Sequence, residues 1–324
     1  MRVMNTPAVQ VQNLSLSFGS FTAVNGLSLT VEQGSIHGFL GPNGAGKSTT
    51  IRALIGVLKP QTGSVAILGQ DPVAHPDVLR RVGYVPGDAT LWDNLTGVEV
   101  FRALESLRKT PSNRALENEL IDAFQLDPTK KIREYSTGNR RKVSLIAALS
   151  HEPELLILDE PTAGLDPIME QVFVTYVRKA RTNGASVLLS SHILSEVEQL
   201  CDYVTVLKEG RAVASNEVSY LRKISAHRIT ATIPAVPQHL AGRGEVDFDA
   251  GHLSITCDAS EVPDILRIII DADGVCYEAQ SKTLPKTLAK LDSIYHISEG
   301  GHVKVEVGKR KARVGQMFTL KVVL

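Results

Sequence analysis

The chain has 324 residues, of which 43% are hydrophobic and 22% are charged, so it can bury a sizeable core and we predict two domains. Lys and Arg number 35, as do Asp and Glu, and this zero net charge argues against a nucleic-acid binder that relies on a basic surface. The three cysteines form no Cys-x-x-Cys pair, which indicates a reducing compartment. No signal segment is visible, and no apolar run reaches the ~20 residues that span a bilayer.

The first elements predicted are strands. Apolar residues alternate over residues 8 to 31, which predicts antiparallel strands joined near Gly19-Ser20. Residues 36 to 40 predict a short buried strand, and residues 51 to 58 carry one apolar helical face. The segment between them has the spacing G-x-x-x-x-G-K-[ST] of a phosphate-binding loop. The loop residues expected to contact phosphate are Gly41, Pro42, Asn43, Gly44, Ala45, Gly46, Lys47, Ser48 and Thr49.

Each part of this loop has a physical role. Glycines adopt backbone conformations that other residues avoid, so several N–H groups can point inward at an anion. The following helix directs its positive end to the same place. Lys47 is expected to reach the β- and γ-phosphates, and the Ser48 hydroxyl to bind Mg²⁺. A glycine-rich turn that binds nothing is the alternative, and the flanking strand and helix disfavour it.

A helical insert, about residues 87–152, is predicted next. Thr96 and Glu99 form a capping box sequence, and further helices are predicted from about Ser112 and Asn139. Tyr135-Ser136-Thr137-Gly138-Asn139 precedes the last of these helices. Taken alone, this segment is an ordinary helix cap.

The strand-helix pattern then returns. The apolar residues 155–158 are followed by Asp159 and Glu160, so these carboxylates end a strand beside the phosphate loop. Asp159 is expected to hold Mg²⁺ and Glu160 to orient the attacking water. Further strands at 187–190 and 204–207 alternate with helices, which predicts a mostly parallel sheet covered on both faces. His192, alone at a strand end, is more often structural.

The sequence changes character near residue 224. Alternation around Ala250-Gly251 predicts a hairpin, and residues 260–270 predict a helix. We therefore predict an ATP-binding domain over 1–222 and a small α+β domain over 223–324. Its last part alternates at 303–307 and ends in a basic tail with a cluster at 309–313, which we interpret as a solvated strand end.

In this order and spacing, residues 8 to about 215 resemble the ATP-binding subunit of an ABC transporter. The resemblance implies an α/β P-loop NTPase of ABC type, with antiparallel N-terminal strands, a helical insert and the small α+β domain. It implies that ATP and Mg²⁺ are bound, and that residues 135–139 form the signature loop for the γ-phosphate of ATP on the opposite subunit. The resemblance also implies that Phe18 and Val24 lie beside the nucleotide, with Phe18 stacked on adenine. It implies that Asp166 lies in the loop crossing the dimer interface and that His192 contacts the γ-phosphate. The alternative to adenine stacking is that Phe18 is a core residue on an edge strand.

Two departures from the family pattern stand out. The signature loop is usually Leu-Ser-Gly-Gly-Gln, and the Tyr-Ser-x-Gly form found here is similar to the drug- and antibiotic-export branch. After Tyr84-Val85-Pro86 the family usually has a glutamine that contacts Mg²⁺ and water, but this chain has Gly87-Asp88. Asp88 is therefore a candidate metal ligand in place of the glutamine, and we expect the departure to affect the rate of hydrolysis more than nucleotide binding.

The resemblance implies an ATPase that powers export through a separately encoded membrane permease, as a head-to-tail homodimer on the cytoplasmic face of the membrane. The C-terminal unit is similar to the accessory domain of the export branch, although lysine replaces an acidic pair within residues 283–288. A soluble regulatory ATP-binding protein without a permease is the alternative. No nucleic-acid partner is expected.

Overall fold

The computed structural model describes residues 6–88, 90–219, 227–240, 244–257, 261–272 and 275–281. Contacts within the chain divide it into two units, Met1–Val218 and Ser219–Leu324. The boundary predicted after residue 222 lies outside the described residues. The helix predicted within 283–288, the alternation at 303–307 and the basic cluster at 309–313 also lie outside them.

An antiparallel sheet opens the first unit. Its strands are β1 (Val9–Phe18), β2 (Phe21–Val31) and β4 (Thr62–Ile67). They lie in the order β2-β1-β4. The strand between β2 and β4 along the chain belongs to the central sheet. The turn between β1 and β2 is at Gly19-Ser20, as predicted.

The central sheet is mostly parallel, also as predicted. Its strands are β3 (Ile36–Leu40), β5 (Val82–Val85), β6 (Leu155–Asp159), β7 (Ser186–Ser191), β8 (Tyr203–Lys208) and β9 (Arg211–Glu217). Their order is β5-β6-β7-β3-β8-β9, and β9 runs antiparallel to β8. Asp159 lies opposite Ser190, and Leu40 lies opposite Ser191, so the carboxyl ends of β6, β7 and β3 meet at one edge.

Helices cover this sheet and form the insert. They are α1 (Lys47–Leu54), α2 (Gly97–Arg108), α3 (Arg114–Ala123), α4 (Thr137–Leu149), α5 (Pro167–Thr182) and α6 (Leu194–Leu200). The Thr96–Glu99 capping box is present. Helix α4 begins two residues earlier than predicted, because the Ser136 hydroxyl accepts the Asn139 N–H and caps the helix. Among the described residues, no helix has the length and apolar character needed to cross a bilayer.

The main core holds the phosphate-loop segment at both ends. It is formed mainly by buried side chains of β1–β8 and α1. Phe39, just before the loop, and Ile51 and Leu54, after it, are fully buried. Each such side chain contributes roughly 1.5–3 kcal/mol to stability. The loop between them is therefore fixed by the packing of its two flanks.

The second unit is a small α+β fold. It consists of β10 (His227–Thr232), β11 (Glu245–Asp249), β12 (His252–Cys257), α7 (Val262–Asp271) and β13 (Val275–Ser281), with the strand order β11-β12-β10-β13. The predicted hairpin is confirmed, since β11 and β12 are antiparallel. Ala250 and Gly251 join them with φ values of 48° and 86°, the positive φ values of a two-residue type I′ turn.

His37 in β3 is a buried titratable group away from the loop. It is 4% exposed, and its Nε2 lies 2.9 Å from Thr205 Oγ1, which lies 2.9 Å from Ser215 Oγ. Burial lowers the pKa of His37 to about 4, because a charged imidazolium is poorly solvated in the core. Burial lowers the pKa of His151 to about 4 as well.

We expect the first unit to lose stability in mild acid. The unfolded chain binds protons at His37 below its ordinary pKa of 6.5, whereas the folded chain does so only near 4. The stabilisation is therefore complete above pH 6.5 and is lost as the pH falls from 6.5 to 4, by about 3 kcal/mol for this group. Urea unfolding of the parent and of His37→Gln, followed from pH 7.5 to 4.5, should give a shallower pH dependence for the variant. Equal slopes would contradict the expectation.

Candidate functional site

The phosphate-binding loop lies where β3 passes into α1. Gly46 has a φ of 102°, and a Cβ there would lie 2.5 Å from the Ala23 carbonyl oxygen. A side chain at this position would therefore meet both backbone strain and a collision. The close fit against β2 holds the loop in its shape.

Lys47 is turned into this loop. Its Nζ donates to the Gly41 carbonyl at 2.6 Å and to the Pro42 carbonyl at 3.2 Å, and the residue is 4% exposed. Nζ also lies 3.3 Å from Glu160 Oε1. A buried ammonium requires compensating negative charge, which Glu160 supplies here. The Lys47 ammonium is therefore suited to binding an anionic group in the loop.

Ser190 fixes the two acidic residues at the end of β6. Its hydroxyl donates to Asp159 Oδ1 and accepts the Glu160 backbone N–H at 3.1 Å. Asp159 is 3% exposed. One hydroxyl on β7 thus sets the orientation of the Asp159 carboxylate and the backbone that carries Glu160.

Glu160 joins the lysine to the predicted histidine. Its Oε2 lies 3.3 Å from His192 Nδ1, while its Oε1 faces Lys47 Nζ. The Glu160 backbone has a φ of 47°, a conformation that is uncommon for residues other than glycine and costs of order 1 kcal/mol or more. The structure therefore brings Lys47, Glu160 and His192 together, with strain at the middle residue.

Residues 87 and 88 border different parts of the site. A Cβ at Gly87 would lie 3.2 Å from Asp159 Oδ2, so a side chain there would project toward this carboxylate. Asp88 instead lines a cleft with Ser136, Thr137 and Arg140.

The signature loop packs against the turn that follows β6. Ser136 Oγ accepts the Asn139 N–H at 3.2 Å, which leaves its own hydrogen free to donate. A Cβ at Gly138 would lie 2.4 Å from the Gly164 carbonyl oxygen. Tyr135 is buried, and its hydroxyl donates to the Asp127 carbonyl. This hydrogen bond ties the start of the signature loop to the segment before it.

The remaining predicted residues lie at the borders of the site. Asp166 Oδ1 accepts the N–H groups of Ile168 and Met169 at 3.0 Å and caps α5. Phe18 is 51% exposed, which excludes the core alternative for it. Val24 is fully buried, and its Cγ2 lies 3.4 Å from where a Gly46 Cβ would be, so it packs beneath the loop.

Two residues near the site were missed by the sequence analysis. Ser190 precedes His192 by two positions and gave no signal of its own. Arg141 is 3% exposed and donates to the carbonyls of Pro86 and Gly87. A sequence signal existed for it, because cations near a helix N-terminus are unfavourable and α4 carries Arg140 and Arg141 in its first turns.

Comparison with known proteins gives consistent results. The family model described as "ABC transporter" matches residues 24–163. The bacitracin transport ATP-binding protein BcrA of Bacillus licheniformis is 36% identical over 218 residues, which are 66% of this chain and 71% of that protein. The daunorubicin/doxorubicin resistance ATP-binding protein DrrA of Streptomyces peucetius is 38% identical over 227 residues, 68% and 69% of the two chains.

Solved structures share the fold of the first unit. An ATP-binding subunit of an ABC transporter is 30% identical, with a TM-score of 0.63, and the match covers 67% of this chain and 92% of that one. A dimeric bacterial ABC transporter cassette has the same fold at 20% identity, with a TM-score of 0.60, over 65% and 98% of the two chains.

Proposed function

The chain belongs to the ATP-binding proteins of ABC transporters, whose ATPase activity drives transport, and we propose that it powers export through a separately encoded membrane permease. The relatives named for bacitracin transport and daunorubicin resistance, and one named for Nod factor export, support the export direction. The hydrolytic role depends on one observation, the Glu160 carboxylate held 3.3 Å from both Lys47 Nζ and His192 Nδ1.

The proposed ATP site starts at the phosphate loop. Backbone N–H groups of residues 41–49 and the Lys47 ammonium would bind the phosphates, and the exposed ring of Phe18 would stack on adenine. Binding of the γ-phosphate would draw Lys47 Nζ away from the Gly41 and Pro42 carbonyls. Glu160 Oε1, released from the lysine, would then accept a hydrogen bond from the attacking water, with His192 at the other oxygen.

The oxygen donors of the site fit Mg²⁺. Ser190 donates to Asp159 Oδ1, while Oδ2 faces the space that Gly87 leaves without a side chain. The Ser48 hydroxyl at the second position of α1 is the other protein ligand proposed. When bound, Mg²⁺ would neutralise charge on the β- and γ-phosphates. Asp88 stays a further candidate ligand: it lines the cleft beside Ser136, and its charge acts on Arg141 together with those of Asp159 and Glu160.

The second half of the ATP site would come from another copy of the chain. The described residues that line the cleft at Ser136 include no phosphate-loop residue. The Ser136 O–H remains free to donate, since the hydroxyl oxygen serves the helix cap. We therefore propose a head-to-tail homodimer in which Ser136 and Gly138 of one copy contact the γ-phosphate on Lys47 of the other. Asp166 would lie in the loop crossing this interface.

An apolar groove between β5 and the helical insert is the proposed permease site. Its walls include Tyr84, Trp92, Leu104 and Leu107, and Leu107 is 70% exposed. Such a groove suits the apolar face of a short amphipathic helix. A permease segment bound there would hold the chain at the cytoplasmic face of the membrane and receive motion from the insert.

Substitution in the groove should release the chain from its permease. We expect Leu107→Arg, coexpressed with the membrane protein encoded next to it, to lose co-purification in detergent, because a guanidinium placed in an apolar interface is poorly solvated. Val57→Arg is the matched control, since Val57 is 66% exposed and is not among the groove residues. If the parent chain never co-purifies with a membrane protein, the regulatory alternative is favoured. If both variants bind normally, the groove assignment is wrong.

A further inference from the structure

Arg141 makes a buried bridge between the helical insert and the end of β5. Its Nη1 donates to the Pro86 carbonyl and its Nη2 to the Gly87 carbonyl. The residue is 3% exposed, and its Nε has no hydrogen-bond partner among the described residues. A planar guanidinium that holds two successive carbonyls fixes the direction of the backbone between them.

The charge of Arg141 faces the acidic side of the phosphate site. Burial lowers the pKa of Arg141, and the negative charges of Asp159, Asp88 and Glu160 oppose that change. The charge of Arg141 therefore interacts with the carboxylate of Asp159 at the end of β6 and with that of Glu160 just after it. In a poorly solvated setting such interactions are stronger than in water.

Gly87 occupies the place where the family usually has a glutamine. A Cβ at this position would lie 3.2 Å from Asp159 Oδ2, so a longer side chain would enter the proposed Mg²⁺ and water site. This chain has no side chain there. The Gly87 backbone is held by the Arg141 side chain, which comes from α4.

We propose that Arg141 is a positioning residue that compensates for the missing glutamine by holding the Gly87 backbone beside Asp159 and coupling it to α4. The inference rests on the proposed function, because Ser136 at the start of α4 contacts the partner's ATP in that dimer. A shift of α4 on binding that ATP moves Arg141, and Arg141 moves the backbone of Gly87 beside Asp159. The state of one ATP site is thereby transmitted to the other.

Arg108 provides a matched control within the same insert. Its guanidinium donates to the Ala147 carbonyl at 3.0 Å and to Ser112 Oγ at 3.1 Å, and its Nε also lacks a partner among the described residues. Burial lowers its pKa, but the opposing charges are Glu105 and Glu117, which are not residues of the phosphate site. Arg108 is half-buried and also lines the proposed permease groove, so the control is made on the purified chain without a permease, where loss of Arg108 tests a structural clamp away from the phosphate site.

The experiment compares Arg141→Met, Arg141→Lys and Arg108→Met in the purified full-length chain. We expect Arg141→Met to lower kcat for ATP by about tenfold or more, with KM changed by less than about twofold, because Arg141 touches neither the loop nor Lys47. Arg141→Lys keeps the charge but loses the two-pronged contact, so its kcat should be intermediate. Arg108→Met should lower the melting temperature and leave kcat per folded molecule within about twofold of the parent. A kcat for Arg141→Met as high as that of Arg108→Met would overturn the proposal.

A second-site rescue separates positioning from folding. Adding Gly87→Gln to Arg141→Met restores the usual family side chain, and we expect it to recover at least about threefold in kcat. A structural clamp predicts no recovery, because the added glutamine does not refill the space of the guanidinium. Absence of recovery would contradict the compensating role. Failure of Glu160→Gln to form an ATP-bound dimer would instead contradict the proposed function, so the two failures are distinguishable.

Discussion

Glu160→Gln is expected to convert the protein into a stable ATP-bound dimer that hardly hydrolyses ATP. Before ATP binds, the amide oxygen can still accept a hydrogen bond from Lys47, which lies 3.3 Å from the carboxylate. Once ATP is bound, however, the amide cannot take a proton from the attacking water. We expect kcat to fall at least about a hundredfold. The lost negative charge also reduces repulsion of the γ-phosphate, so ATP binding should remain or improve. Size-exclusion chromatography with ATP, together with phosphate release, measures both effects.

A surface glutamate provides the control for this variant. Glu154 pairs with Arg81 Nη2 through a half-exposed contact outside the phosphate site, and exposed pairs contribute only about 0.2–1 kcal/mol. Glu154→Gln should therefore keep both the parent rate and the parent oligomeric state. A Glu160→Gln protein that hydrolyses ATP at the parent rate would remove Glu160 from the mechanism.

Mixing two inactive variants should restore hydrolysis. Lys47→Ala removes the ammonium from the phosphate loop. Ser136→Asp keeps a side-chain oxygen that can cap α4 but places negative charge against the partner's γ-phosphate. In a mixed dimer, one ATP site combines both defects and the other has an intact Lys47 and an intact Ser136. Random pairing therefore gives up to about a quarter of the parent activity.

Placing both substitutions in one chain supplies the control for the mixing experiment. When that double variant is mixed with parent chains, each site of a mixed dimer carries one defect, so activity should fall below simple dilution. The head-to-tail arrangement would be wrong if the two single variants form mixed dimers without any recovery. It would also be wrong if Ser136→Asp alone kept the parent rate.

Local spacing predicted much of this site because its main parts are short and continuous. The loop at residues 41–49 carries its chemistry in nine consecutive residues, and the apolar run before Asp159 marks a strand end directly. The rules for parallel sheets then bring these two segments to one edge. The same reasoning predicted the hairpin at Ala250-Gly251, where two turn residues separate alternating strands.

Contacts between distant residues were not predictable in this way. Arg141 meets Gly87 across 54 positions, and Ser190 meets Asp159 across 31. Both depend on how the insert and the strands pack, which no spacing rule encodes. The exposure of Phe18 also depends on packing, since the alternation of apolar residues was equally compatible with a buried side chain. The position of Asp88 at the cleft beside Ser136 depends on packing in the same way.

The contact between Gly138 and Gly164 brings the backbones of two loops into close approach. Because a Cβ at Gly138 would lie only 2.4 Å from the Gly164 carbonyl oxygen, neither loop can advance toward the other. A displacement of the segment before α4 toward Gly164 would therefore push the segment before α5 ahead of it. Within each subunit, the two surfaces that face a neighbouring copy would travel in register, without any side chain between them to absorb the movement.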